Sequence, residues 1–153
     1  MNHTMTHSAG LPDPEYDHAF YDGVPAKRFF AWIVDVILIA LVSLILGLLT
    51  LTVLLWVWPI LYFTVSFLYR SATIGTGSAT LGMRLMNIEL RNGLGQRLSP
   101  AEAMIHTGLY LFLSASVILQ LISVGLMLAS RRHQGLHDHI LGSAAINRPR
   151  GLY

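Results

Sequence analysis

The sequence predicts an all-α membrane protein, with three hydrophobic helical segments and a short β-hairpin-like cytoplasmic loop. Three observations carry that expectation. From Phe29 to Tyr69 the only charged side chain is Asp35. The composition is 54% hydrophobic and 12% charged, about half the charged fraction usual for a soluble domain. All lysines and arginines lie outside the long apolar runs, as the cost of moving a cation into hydrocarbon demands.

At about 1.5 Å per residue, the run from Phe29 to Tyr69 measures roughly 60 Å as helix, about twice the ~30 Å hydrocarbon core of a bilayer. Two crossings fit it. With 153 residues, the chain has room for one membrane domain and no separate catalytic one. The net charge of +2 follows the pattern of membrane topology rather than a nucleic-acid footprint, so no nucleic-acid partner is expected. The absence of cysteine excludes disulfides and thiolate metal sites. A cleavable signal peptide is not expected, because the first apolar run starts near residue 29 and exceeds an h-region in length.

Residues 1–24 are polar, with acids at Asp13, Glu15, Asp17 and Asp22, and read as a flexible tail. The membrane domain is expected over residues 25–148, followed by a short tail at 149–153. The first helix starts near Pro25, whose ring suits a first turn, and runs to about Leu49. Trp56, Trp58 and Pro59 form an interfacial belt, and the second helix occupies roughly Leu54 to Ser71. Between Arg70 and Glu102 the chain turns polar and glycine-rich, with Gly75, Gly82 and Gly95 as turn formers. Met86, Ile88 and Leu90 alternate with polar residues before Asn92-Gly93, which predicts a short strand paired with a companion at Gly95–Leu98.

Ser99-Pro100-Ala101-Glu102 is a capping-box start for the third segment, which runs to Ser130 and ends at Arg131, Arg132 and His133. That length is about 45 Å, more than one crossing needs and too little for two. A kink is expected at Ser123 with Gly125. Every charged flank of the helices is basic, so two topologies remain. A single crossing sends the C-terminal tail outside, whereas a re-entrant third segment keeps all basic regions in the cytoplasm.

Asp35, inside the first helix, needs a partner, a proton or water, since a carboxylate at the bilayer centre costs about 2.5–3.5 kcal/mol. Arg28, two turns earlier, lies about 10 Å away along the axis. Asp35 is read as either a buried polar clamp between helices or an ion, proton or headgroup site. His133 and His137 have i, i+4 spacing, but Gly135 between them argues against a helical metal pair, and no metal or cofactor is expected. His106 is read as a packing residue.

Arg28 and Asp35, the stretch Arg131-Arg132-His133-Gln134-Gly135-Leu136-His137-Asp138, and Thr80-Leu81-Gly82-Met83-Arg84-Leu85 occur in an arrangement that resembles the RDD family of small multi-pass membrane proteins. That family is named for an arginine near the start of the first helix and two aspartates. Arg28, Asp35 and Asp138 occupy the matching positions, with Arg84 and His137 in supporting places. Met83 stands where the family usually has lysine. The resemblance covers about residues 23–148 and implies three transmembrane segments in a bacterial inner membrane. Members have been proposed as cation/proton antiporters or as accessory components of membrane complexes.

Two function classes follow. In one, Arg28, Asp35 and Asp138 form a single cluster that binds a monovalent cation or proton during transport, in a homo-oligomer or with a membrane-protein partner. In the other, a non-catalytic membrane scaffold or accessory subunit uses the cluster to lock its helices. No enzyme is expected, because no nucleophile elbow, phosphate loop or zincin motif is present.

Overall fold

The computed structural model describes residues 10–50 and 52–149. Helix α1 spans Val24–Leu49, with Gly23 in the left-handed conformation at its start and Pro25 in its first turn. Ala31, Asp35, Ile39, Ser43 and Gly47 are its buried residues beyond the first turn, one every four positions, which is the repeat of a single helix face. Leu41, Ile45 and Leu49 point outward, as suits a helix bathed in lipid rather than water. Gly47 belongs to the buried face because a Cβ there would overlap the Leu55 side chain.

A 3-10 turn at Val53–Val57 leads into helix α2, Trp58–Gly77. This helix starts four residues later than expected and runs six further. Gly75, expected to form a turn, is instead a packing position: a Cβ there would lie 3.3 Å from Pro100 Cα, so its bare backbone lets the segment that begins at Pro100 approach. Both α1 and α2 are long and apolar enough to cross a membrane.

Helix α3, Leu81–Leu85, is capped by the Thr80 hydroxyl, which accepts the Met83 N–H at 3.2 Å. Strand β1, Ile88–Arg91, follows. Its partner is not the expected Gly95–Leu98 but β2, Ala144–Asn147, antiparallel with Ile88 opposite Asn147 and Arg91 opposite Ala144. A lone bridge from Arg91 to Arg97 is what remains of the local hairpin. The reason is burial: Ala144, Ala145 and Ile146 are all buried, whereas Gly95–Leu98 offers only Leu98, and strand pairing follows the apolar face it can cover.

The third segment divides into α4, Pro100–Ser114, and α5, Val117–Ala129, bent by 117°. The break lies at Ala115–Ser116, not at Ser123 and Gly125. Ser123 is engaged inside α5, its Oγ accepting the Leu136 N–H at 3.0 Å, while Ser114 turns its hydroxyl back onto the Leu111 carbonyl at the end of α4. The capping box expected at Ser99 and Glu102 is present in full. At about 22 Å and 20 Å, neither half alone reaches across a ~30 Å hydrocarbon core. Helix α6, Leu136–Leu141, packs against both α4 and α5, so the bent pair returns to the end from which it started.

The polar N-terminal segment is not free from Leu11 onward. Leu11 and Tyr21 are buried against Ala144 and Ile146 of β2, and the Tyr21 hydroxyl donates to the Pro12 carbonyl at 2.8 Å. The rest of the expected tail, residues 1–9, and the C-terminal residues 150–153 lie outside the described residues.

Candidate functional site

Two buried carboxylates sit at the charged end of the bundle, each in a separate node. Asp35 is 1% exposed. Its Oδ1 accepts the Tyr69 hydroxyl at 2.7 Å and the Gly82 N–H at 3.0 Å, its Oδ2 accepts the Thr80 hydroxyl at 2.6 Å, and Arg70 stands 3.7 Å away. Asp35 thereby joins α1 to the end of α2 and the start of α3. Gly82 is where the backbone must come close, since a Cβ would overlap the Ala31 carbonyl oxygen and lie 2.9 Å from Asp35 Oδ1.

Asp138, fully buried, forms the second node. Its Oδ2 accepts Arg28 at 2.6 Å and the Gly135 N–H at 3.1 Å; its Oδ1 accepts the Ser143 hydroxyl at 3.1 Å and meets His106 Nε2 at 3.0 Å. Arg28 also donates to His137 Nε2 at 3.3 Å, which assigns the neutral Nδ1–H form of that ring. The structure thus brings Arg28 to Asp138 and His137 and leaves Asp35 in its own node, so the expected three-residue cluster is divided. Arg84 belongs to neither: it donates to the Thr73 and Ala79 carbonyls at the end of α2, a C-terminal capping role.

Burial alone would raise the pKa of Asp138; the Arg28 guanidinium, with His137 and His106, outweighs it and holds the carboxyl well below its usual range. For His137, burial is the largest influence, reinforced by His106, Arg28 and Arg70 against the opposing pull of Asp138, and its pKa falls to about 3. Both folded-state values lie below the unfolded ones, so the unfolded chain binds more protons and stability rises with pH. The contribution of His137 is present above about pH 6.5 and is lost as pH falls toward 3, at up to about 1.4 kcal/mol per pH unit. Thermal unfolding in detergent is expected to show a midpoint that drops between pH 6.5 and 4, and His137→Asn should flatten that slope.

The nodes are joined by rings. Arg70 lies over Tyr110, 4.8 Å from its centroid, and Tyr110 and His106 each pack edge-on against His137. The sequence assigns no site role to Arg70 or Tyr69 and only a packing role to His106. Depth matching points to the first two: Asp35 lies about 16 Å from the start of α1 and Tyr69 about 12 Å from the end of the antiparallel α2. A third buried carboxylate, Glu89 on β1, is ringed by Arg91, Arg97 and Arg148.

His106, His137 and Asp138 place ligand atoms within 4.8 Å of one another. Arg28 already points its guanidinium at two of them, so a metal ion would first have to displace a cation that never loses its charge. The donor set fits an arginine, not a metal. His133, at the i, i+4 spacing from His137, bonds elsewhere: its Nδ1 meets the Met127 carbonyl at 3.0 Å, at the end of α5.

Between α1 and the α4–α5 pair lies a cavity of about 740 Å³. Arg28, Asp35, Arg70, His106, Tyr110 and His137 line its polar side, and its other walls are mostly apolar. Residues 23–142 match the model described as the RDD family. No curated protein and no solved structure gives a significant match.

Proposed function

This chain belongs to the RDD family, and we propose on that footing that it acts as a membrane-embedded binding module rather than an ion exchanger. Its buried carboxylates serve as locks. The observation that carries this reading is their saturation: both oxygens of Asp35 and of Asp138 accept fixed donors from two or more elements. A carboxylate that carries protons or cations must exchange partners, and each partner lost here leaves a buried donor unpaired.

The described basic side chains gather at the end holding Arg28, Arg70, Arg131 and Arg148, while the end holding Trp56 and the α4–α5 bend carries none. The positive-inside tendency supports a cytoplasmic charged end with the bent pair re-entrant, and the family resemblance supports a bacterial inner membrane. The irregular backbone at Ala115–Ser116 is tolerable at membrane depth only where protein or a cavity covers it.

Reconstitution in liposomes containing a pH-sensitive dye tests the reading. Under an imposed sodium or potassium gradient, proton movement should match protein-free liposomes. Protein-dependent exchange that disappears in Asp35→Asn and Asp138→Asn, with unchanged thermal stability of both, would overturn it. The second reading, cation/proton exchange, is favoured by the titratable rings of His106 and His137 beside Asp138, and that outcome would establish it.

A further inference from the structure

We infer that the outer face of the two-stranded sheet carries a site for a phosphate monoester group, built from Arg91, Arg97 and Arg148 around Glu89. The site is separate from both carboxylate nodes and does not depend on what they do. Strand alternation places Glu89 and Arg91 on one face of β1. Ile146 pairs with Glu89, and the Arg148 N–H continues the ladder onto the Asn87 carbonyl, so Arg148, two residues beyond Ile146, shares that face. Arg97 comes opposite Arg91 through the lone bridge. The other face holds Ile88, Leu90 and Ala145, buried in one cluster with Val24 and Ile74.

Charge is out of balance on the outer face. Glu89 is 1% exposed, whereas the side chains of Arg91, Arg148 and Arg97 are 20%, 23% and 50% exposed. The anion is sealed beneath and the cations face outward. Arg91 alone is enough to neutralise Glu89, donating to its Oε1 through Nε, at 2.8 Å, and through Nη2. Arg97 Nη2 and Arg148 Nε stand 3.9 and 3.6 Å from Oε2, close enough to be held by its charge and too far for a hydrogen bond.

The Arg148 side chain makes no hydrogen bond with the described residues. Of its guanidinium nitrogens only Nε is buried, so Nη1 and Nη2 open outward beside the half-exposed Arg97. Two guanidiniums fixed about one oxygen repel each other, a cost that a shared anion removes. Their anchoring by a buried carboxylate also spares a ligand the entropy of ordering them.

Three cations around one anion leave two positive charges in excess. A phosphate monoester carries about −1.5 to −2 at pH 7 and three acceptor oxygens, so it matches the excess in charge and the guanidinium forks in geometry. A carboxylate or a phosphodiester, with a single charge, matches half of it. Two sources offer the group: a soluble phosphate and the headgroup of phosphatidic acid. The sheet is within reach of both, since Asn147 accepts from Lys27, in the first turn of α1, at 2.6 Å.

Calorimetry on the full-length protein in a neutral detergent tests the site, at fixed ionic strength and about pH 7.5, where the phosphate monoester is mostly a dianion. The probes are inorganic phosphate and dihexanoyl phosphatidic acid, a lipid soluble as monomers. At least one is expected to bind saturably, and at least several-fold more tightly than acetate or dihexanoyl phosphatidylglycerol. Arg148→Gln should weaken that binding about tenfold, the scale of one hydrogen bond to a charged group, yet melt within a few degrees of the parent, since the side chain it replaces makes no hydrogen bond. Arg148→Lys keeps the charge and should bind between the two, which covers failure of the glutamine variant to fold. Arg131→Gln, at an arginine paired with Glu15 instead, should leave binding unchanged.

Tighter binding of phosphatidic acid than of inorganic phosphate assigns the site to a headgroup, and the reverse order assigns it to a soluble phosphate. No saturable binding of either, equal binding of acetate, equal affinity in the parent and Arg148→Gln, or an equal loss in Arg131→Gln would each overturn the proposal.

Discussion

Asp138→Asn is expected to lower the unfolding free energy by about 3 kcal/mol, the scale seen when one member of a buried ion pair is removed. Arg28 would remain at the same place with its side chain mostly buried and its counter-charge gone. The asparagine amide would also present N–H groups to donors that now meet a carboxylate, the Gly135 N–H and the Ser143 hydroxyl among them. Because this side chain bonds α6 to both α1 and α4, the loss should loosen the whole charged end rather than a single loop. Thermal unfolding in detergent checks the magnitude, and Arg28→Gln supplies the cycle. The double variant should lose at least about 1 kcal/mol less than the two single losses added together, since each single change leaves an orphaned partner that the double change removes. Strict additivity would mean that Arg28 and Asp138 do not meet.

Gly82→Ala should be comparably damaging, on the order of 3 kcal/mol, by a different mechanism. The added methyl would overlap the Ala31 carbonyl oxygen, a backbone atom of α1 that cannot rotate away, and press against the Asp35 carboxylate. Relief requires α3 to move off α1, which would pull the Gly82 N–H and the Thr80 hydroxyl from Asp35. Overpacking commonly costs about 1–3 kcal/mol, and lost hydrogen bonds to a charged group add about 1.5–3 kcal/mol each when complete. Gly125→Ala is the control: nothing lies within 4 Å of a Cβ at that helical position, so the change should be neutral or stabilising by up to about 1 kcal/mol. Expression yield and melting temperature of the two variants should therefore move apart.

The parts of this fold that local chemistry dictates were legible in the sequence. Charge exclusion marked α1 and α2, and the Ser99–Glu102 box marked the start of α4, because each signal is complete within a few residues. Pairing at a distance was not legible. Nothing within Met86–Leu98 shows that β1 will reject its neighbour Gly95–Leu98 for Ala144–Asn147; that choice is made by which strand buries more apolar surface once α6 has turned the chain at Gly142. The bend was misplaced for a related reason. Gly125 looks weak alone, yet Ser123 is tied to Leu136 from outside the helix.

The site follows the same division. Arg28, Asp35 and Asp138 stand out as ionised groups at the margins of apolar helices, and all three are engaged. Their grouping into two nodes depends on Tyr69, Arg70, Thr80 and His106, whose relevance appears only when the helices are set antiparallel. The family resemblance supplied positions for the first three residues and, of the second four, only for Thr80, as part of the middle-loop element.

The arrangement depends on one geometric fact: the bent α4–α5 pair returns Asp138 to the end of the bundle that holds Arg28. Since the chain has no cysteine of its own, single cysteines labelled by an impermeant maleimide in oriented vesicles test it directly. Leu94→Cys, Arg131→Cys and Trp56→Cys place the probes at exposed sites, the side chain of Arg131 being 76% exposed and Leu94 and Trp56 65% and 89%. The first two variants are expected to label from the same face of the membrane and the third from the opposite face. Labelling of Arg131→Cys from the Trp56 face would put a bilayer between Arg28 and Asp138 and contradict the structure at its centre.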